Sequence, residues 1–434
     1  MRMAGKRLNV ALVNPPSLSV ECDRVDPPLG LLYIAGTLRE YGHNDVSVLD
    51  MSGCRDERAI AAKMERIPEA DVYGVTCLCT NYEYARRIVA KVRSANPAAH
   101  VILGGPNPSA VPAFTLSDSG ADAVCVGEGE DVFHRCVDGY ASGSPPTGVL
   151  RANPRWDVDS YAFPARDLVD LTTYTRRLMG EPVISLLASR GCKYRCIHCN
   201  STVMGGGSRC VRFRSASNVL DEMESLRDRF RCYRFTDDHF TGSPHLKPLL
   251  EGMKGLDIAF RVFARIEDLD DETCRLLKEA GCVHVAVGLE SLHPDNLRVL
   301  GKAPQIGREE NVRIARSHGL TVRASFMVGL PHDSDETIDK YFGKASELGL
   351  NEFAVYPLIP YPGTTVWKHP DRFGYTIAHS DFADYVQMGR QGKTCFALEH
   401  ERFGPDDARR WLKRATAVLE AGGSRHMRDS VVAQ

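Results

Sequence analysis

At 434 residues the chain is too long for one ordinary hydrophobic core, so two or three domains are expected. With 43% hydrophobic and 25% charged residues, it falls outside the collagenous, low-complexity and disordered classes. A formal charge of −2 gives no reason to expect nucleic acid or an anionic membrane as partner, and no apolar run reaches the roughly 18 residues that span a bilayer.

The N-terminal "MRMAGKRLNVALVNPP" has a short apolar stretch, ends in Asn-Pro-Pro and lacks a small-residue cleavage site. It reads as a first strand rather than a signal peptide, and a cytoplasmic chain is expected. There the 14 cysteines stay reduced and build no disulfide framework. Over residues 8–140, β-branched apolar segments ("NVALVNPP", "DVSVLD", "DVYGVTC", "HVILGGP", "DAVCVGEGE") alternate with amphipathic stretches at Leu31 to Tyr41, Glu57 to Ile67 and Tyr82 to Ser94. This pattern predicts a five-stranded, doubly wound parallel sheet of Rossmann-like type, with its ligand beyond the carboxyl ends of the strands. Those ends read Asn14-Pro15-Pro16, Thr76-Cys77, Gly104-Gly105-Pro106 and Gly127-Glu128-Gly129-Glu130. Glycines gathered on one rim favour close backbone approach to a flat polar ligand. No G-x-G-x-x-G follows the first strand, which counts against a nicotinamide or flavin dinucleotide.

The Pro-, Gly- and Ser-rich stretch that follows predicts a linker over 146–180, after a first domain over 1–145. Strand–helix alternation then resumes, with strands expected at 183–188, 232–236, 258–263, 283–287, 320–327 and 351–357. Six such units over 181–370 suit a partial β/α barrel whose site lies at the carboxyl ends of its strands. The remainder, 371–434, is expected to be loop-like apart from a helix near 405–421 that caps the barrel.

"GCKYRCIHCN" follows the first of these strands and carries Cys192, Cys196 and Cys199 in a polar loop. A structural zinc site would need a fourth ligand, for which His198 or a distant cysteine is available. A nucleophilic thiol needs one cysteine and a base, not three cysteines. An iron–sulfur cluster with three protein ligands would keep one iron open.

Cys192-x3-Cys196-x2-Cys199 after the first strand of a β/α barrel resembles the radical S-adenosylmethionine (SAM) superfamily. The resemblance implies a 4Fe-4S cluster on these cysteines and further segments in order. "FTDDHF" places Asp237 and Asp238 at the methionine end of SAM. "VGLES" places Glu290 and Ser291 at the ribose, and "VLGK" places Lys302 at the methionine carboxylate. "FMVGLP" brings Met327, and "YPLIPYPGT" brings Leu358, to the adenine. His198 stands where an aromatic residue usually precedes the third cysteine.

The first domain is similar to the cobalamin-binding domain of cobalamin-dependent radical SAM enzymes. That similarity implies a cobalamin site built from Asn14, Pro15, Thr76, Cys77, Gly104, Gly105, Gly127, Glu128 and Gly129. The Asp-x-His-x-x-Gly motif that supplies a histidine to cobalt is absent, which leaves the lower face to water or to a residue after the third strand, such as Cys77 or Cys79. By this resemblance the chain is a methyltransferase. SAM is cleaved reductively to a 5′-deoxyadenosyl radical, and an unactivated carbon of a small biosynthetic intermediate is methylated through methylcobalamin. Flavodoxin or ferredoxin would donate electrons. The alternatives are a rearrangement, ring contraction or cyclisation without methyl gain, and a non-catalytic protein with a structural metal. Arg209, Arg212 and Arg214, on a glycine-rich loop, are candidates to meet an anionic substrate.

Overall fold

The computed structural model describes residues 8–204, 210–302, 308–387, 389–390 and 393–427. Arg209 lies outside them.

Six strands, β1 (Val10–Asn14), β2 (Val46–Asp50), β3 (Val72–Thr76), β4 (His100–Gly104), β5 (Ala123–Val126) and β6 (Gly148–Arg151), form a parallel sheet of order β2-β1-β3-β4-β5-β6. Both faces are covered, so the strands are nearly continuous in apolar residues. Val10 and Leu12 pack with the helices Leu29–Glu40 and Glu130–Ala141 on one face. Ala11 and Val13 pack with the helices Glu57–Met64 and Tyr82–Ala95 on the other. Because β2 and β3 leave β1 on opposite sides, a crevice opens at the carboxyl ends of β1 and β3. The sixth strand corrects the expected five and comes from the segment read as linker, so this sheet runs past residue 145 to Arg151. It is an edge strand whose residues alternate half-buried and exposed, which gave it no apolar run to be seen by.

The rest of the chain supplies β7 (Arg177–Leu178), β8 (Glu181–Leu186), β9 (Ser189–Arg190), β10 (Arg212–Phe213), β11 (Cys232–Phe235), β12 (Ala259–Ala264), β13 (Cys282–Glu290), β14 (Thr321–Val328), β15 (Glu352–Pro357), β16 (Tyr375–Ile377), β17 (Leu398–His400) and β18 (Arg425–His426). An eight-stranded sheet of order β18-β15-β14-β13-β12-β11-β8-β7 curls into a half-barrel. Its six main strands, β8 and β11 to β15, are parallel, as the alternation predicted. β7 adds an antiparallel edge, and β18 adds a parallel strand drawn from the C-terminal segment. The helix Pro405–Ala421 does not cap the barrel. It lies along the outer face, buries Trp411, Ala415 and Leu419 in the barrel's core, and donates from Trp411 Nε1 to Asp335 at 2.8 Å. Among the described residues no helix is long and apolar enough to cross a membrane.

Candidate active site

The cysteine loop is held by its neighbours before any metal is considered. Gly191 turns it at φ 93°, where a Cβ would collide with the Cys210 carbonyl oxygen. At the centre of the loop, Ile197 N donates to Leu300 O at 3.4 Å and Ile197 O accepts from Val366 N at 3.1 Å. This anchors the loop to two other segments at the barrel rim. Cys192, Cys196 and Cys199 are half-buried free thiols. Burial pushes the Cys192 and Cys196 thiols up, while Lys302 and Arg265 draw Cys196 back down. Arg265 sits just past β12 with its guanidinium 3.8 Å from the Tyr194 ring centre. Three free thiols on one short loop, with cations beside Cys196, fit a metal centre that would bind them as thiolates. Beside them His198 Nδ1 and Asn200 Oδ1 are buried without a partner. Burial pulls His198 down to about 4, so its ring is neutral and open to a ligand.

The polar residues implied by the resemblance divide between two tasks. Asp237 is fully buried and accepts from Ala188 N at 3.1 Å and from Ser189 Oγ at 2.5 Å. Burial pushes its carboxyl up to about 6 against the pull of these donors. It clamps the turn that leads into the cysteine loop. Asp238 beside it is exposed and takes a bond of 2.8 Å from Ser201 Oγ. At the end of β13, a register shift and a left-handed Glu290 (φ 60°) aim its carboxylate at Lys302 Nζ, 2.9 Å away. Lys302 also donates to Gly288 O at 2.7 Å. A buried pair held in this way fixes one carboxylate and one ammonium near the open side of the cysteine loop. Ser291 Oγ accepts from His293 N at 3.0 Å, while Met327 and Leu358 lie in the barrel's apolar core.

On the first sheet, Asn14 Nδ2 donates to Asp50 at 2.8 Å and Pro15 O accepts from Asn81 at 3.4 Å. Cys77 is fully buried, with its N–H on Gly104 O at 2.8 Å. Burial pushes its thiol well up, and pushes Cys79 up to about 11, so neither is a thiolate near neutral pH. Gly105, at φ 100° and ψ −168°, takes a conformation that L residues avoid, and a Cβ there would sit 3.0 Å from Cys77 O. Gly104 beside it is open: the nearest atom to a Cβ would be Cys125 Cβ at 3.8 Å. Gly127 N donates to Ser109 Oγ at 3.0 Å, and Gly129 packs on Ile34 at the start of the helix Glu130–Ala141. This bare, uncharged rim fits a corrin ring that approaches the backbone closely.

Glu128 departs from its expected place. It is bonded to Arg190 at 2.8 Å, to Arg212, and to Tyr161 OH at 3.3 Å. It therefore ties the first sheet to the barrel rather than facing a cofactor. Arg212 is committed to that brace, and Arg214 is buried against Glu222, so neither is available to a substrate in the way the loop's composition suggested.

Between the two rims is a cavity of about 320 Å³. The exits of β3 and β4 line it with Leu78, Cys79 and Asn107, the cysteine loop with Asn200, and β15 and the chain beyond it with Tyr356 and Tyr361. Tyr385 and Gln387 close it from the C-terminal segment, which bridges to the first sheet through Val20 and Gly389. Among the described residues no charged one lines it. Cys79 apart, sequence reasoning missed these residues, although "YPLIPYPGT" contains two of them. It also missed Arg265, for which no pattern gave a signal.

Residues 23–137 match the family model described as the B12 binding domain, and residues 186–345 match that of the radical SAM superfamily. The chain joins a B12-binding domain to a radical SAM domain. It is 29% identical over 392 residues to an uncharacterized methyltransferase of Pyrococcus horikoshii, covering 84% of this chain and 83% of that protein. It is 24% identical over 392 residues to an anaerobic magnesium-protoporphyrin IX monomethyl ester cyclase of Rubrivivax gelatinosus, covering 83% and 68%. Its fold matches a solved radical SAM methyltransferase, TsrM of Kitasatospora setae, with a TM-score of 0.71 at 21% identity over 95% of this chain and 88% of that one. The protein is thus a radical SAM enzyme that carries a B12-binding domain.

Proposed function

We propose that the protein methylates an unactivated carbon of a small biosynthetic intermediate held between its two domains. The observation that carries this reading is the cavity of about 320 Å³, uncharged among the described residues, bounded by the exits of β3 and β4 on one side and by the cysteine loop and β15 on the other. When bound, the cluster and SAM supply a carbon-radical oxidant, and cobalamin supplies a transferable methyl group. The chain's own residues do the rest. Cys192, Cys196 and Cys199 hold the cluster. Lys302 and Asp238 offer a cation and a carboxylate to the methionine end of SAM, Glu290 offers a carboxylate to its ribose, and neutral His198 lies beside them. Tyr356, Tyr361 and Tyr385 shield the acceptor from water, with Asn107, Asn200 and Gln387 to orient it. The glycines at 104, 105, 127 and 129 admit cobalamin over the crevice of the first sheet. We take the first domain to end after β6 and the barrel domain to follow the interdomain segment. Free thiols throughout suit a reducing, cytoplasmic setting with flavodoxin or ferredoxin as donor.

The test is anaerobic turnover with methyl-labelled SAM, cobalamin, reductant and candidate acceptors. Labelled product alongside 5′-deoxyadenosine is expected, and unlabelled product alongside 5′-deoxyadenosine rejects methyl transfer. A second reading, cyclisation without methyl gain, is favoured by the cyclase relative, and the product mass separates the two.

A further inference from the structure

The interior of the half-barrel holds more cations than its fold requires. On β12 the side chains alternate: Phe260, Val262 and Ala264 enter the apolar core against the helices, while Arg261 and Phe263 face inward. The same inward register carries Arg234 on β11, His284 on β13, Arg323 on β14 and Glu352 on β15. Arg234 is the Cα partner of Arg261, Arg261 of His284, and Arg323 of Glu352. Asp26 and Arg176 enter this layer from outside the barrel. Asp26 binds Arg176 at 2.7 Å, Arg234 at 2.9 Å and Ser185 at 2.9 Å. Glu352 lies 3.4 Å from His284.

Four guanidinium groups therefore share two carboxylates, Asp26 and Glu352. Among the described residues no carboxylate lies within ion-pairing distance of Arg261 or Arg323. The Nε atoms of Arg234, Arg261 and Arg323 and Nδ1 of His284 are all buried without a hydrogen-bond partner. Arg234 and Arg261 both lie against the Phe263 ring, at 5.3 and 5.8 Å. Burial, and then the neighbouring arginines Arg234 and Arg323, pull the Arg261 guanidinium down to about 9. Like charges on directly paired residues and orphaned donors in one chamber are each unfavourable, and an anion relieves both at once. Above the ring, the same face narrows to Ala286, Ser325 and Ala354, then reaches Glu290, Met327 and Tyr356 at the carboxyl ends. Tyr356 lines the cavity between the domains. Phe263, the partner of Ala286, shares this level of the face with the small side chains, and ring and rim are roughly 13 Å apart along the strands, four residues at about 3.3 Å each.

We propose that this ring is an oxyanion site for the methyl acceptor: the acceptor carries a phosphate, phosphonate or carboxylate group, which Arg261 and Arg323 hold while its reacting carbon lies in the cavity. The inference rests on the methyl-transfer reading for the identity of the occupant. Its test reads binding alone, so the two can fail separately.

The experiment titrates holoprotein, reconstituted with cluster and cobalamin, with hexyl phosphate, inorganic phosphate and hexanol at constant ionic strength, followed by calorimetry. Saturable binding of hexyl phosphate is expected, tighter than inorganic phosphate, with none for hexanol. Arg261→Gln and Arg323→Gln should each weaken it about tenfold or more, the loss of one charged hydrogen-bonding partner. Arg261→Lys should fall between wild type and Arg261→Gln. Unchanged cluster and corrinoid absorption shows that each variant is folded, and either glutamine variant suffices if the other fails to fold. Inorganic phosphate binding as tightly as hexyl phosphate identifies a free-ion site and overturns the assignment to the acceptor. Absence of binding to wild type, or wild-type affinity in both glutamine variants, overturns the site itself.

Discussion

The two rims that meet at the cavity prepare for their ligands by opposite means. The barrel rim uses charge and sulfur: three thiols, the Glu290–Lys302 pair, Arg265 and an exposed Asp238. The rim of the first sheet uses the lack of side chains: Gly104 and Gly105 on β4's exit, a fully buried Cys77, and Leu78 turned to solvent at 46% exposure. A ligand that binds through a sulfonium amino acid and iron needs fixed charges. A broad ring that stacks over backbone needs space and peptide groups. Substitutions on the barrel rim should therefore cost chemistry and stability together, whereas those on the sheet rim should mainly cost fit.

The largest effect is expected from Cys196→Ala. Iron content and the cluster's visible absorption should fall, and reductive cleavage of SAM should drop below detection, while corrinoid binding at the other rim stays intact. Loss of both cofactors together would break the contrast. Next, Lys302→Met leaves the Glu290 carboxylate buried without its cation and should lower stability by about 3 kcal/mol, seen as a lower Tm. The Lys302→Met/Glu290→Gln double variant should recover most of the stability and none of the SAM affinity.

Third, Asp237 titrates at about 6 in the folded chain, above its unfolded value near 3.8. The folded state then holds more protons across that window, so Asp237 makes stability fall as pH rises from about 4 to about 6, by roughly 2–3 kcal/mol. In Asp237→Asn that part of the pH dependence should vanish from a Tm series, and an unchanged slope would reject the assignment. The smallest effect is expected from Gly105→Ala. Its strained backbone should cost about 1–2 kcal/mol, with weaker cobalamin retention but unchanged cluster absorption.

The same contrast explains what was legible in the sequence. Fixed charges and thiols need particular residue types at particular spacings, so motifs offered Cys192, Cys196, Cys199, Glu290 and Lys302 as candidates, and the structure brings Glu290 and Lys302 together. The parallel strands could be named because burial on both faces makes them continuously apolar. The cavity lining was harder: Asn107, Asn200, Tyr361 and Gln387 converge from segments far apart, and an isolated Asn or Tyr has many ordinary uses. Glu128 was misplaced because its glycine neighbours read as a ligand loop, when its partners, Arg190 and Arg212, lie far along the chain. β6 and β18 escaped notice because short edge strands carry little apolar pattern.

Arg190 stands two residues ahead of Cys192 and reaches Glu128 and Glu130, at 2.8 and 2.7 Å, on the other domain. The cysteine loop therefore hangs from a strut whose far end is set in the B12-binding domain. Neither half can be exchanged for that of a relative as a free cassette. A working chimera must bring matching partners at positions 128, 130, 190 and 212, and drift at one of them has to be answered across the seam.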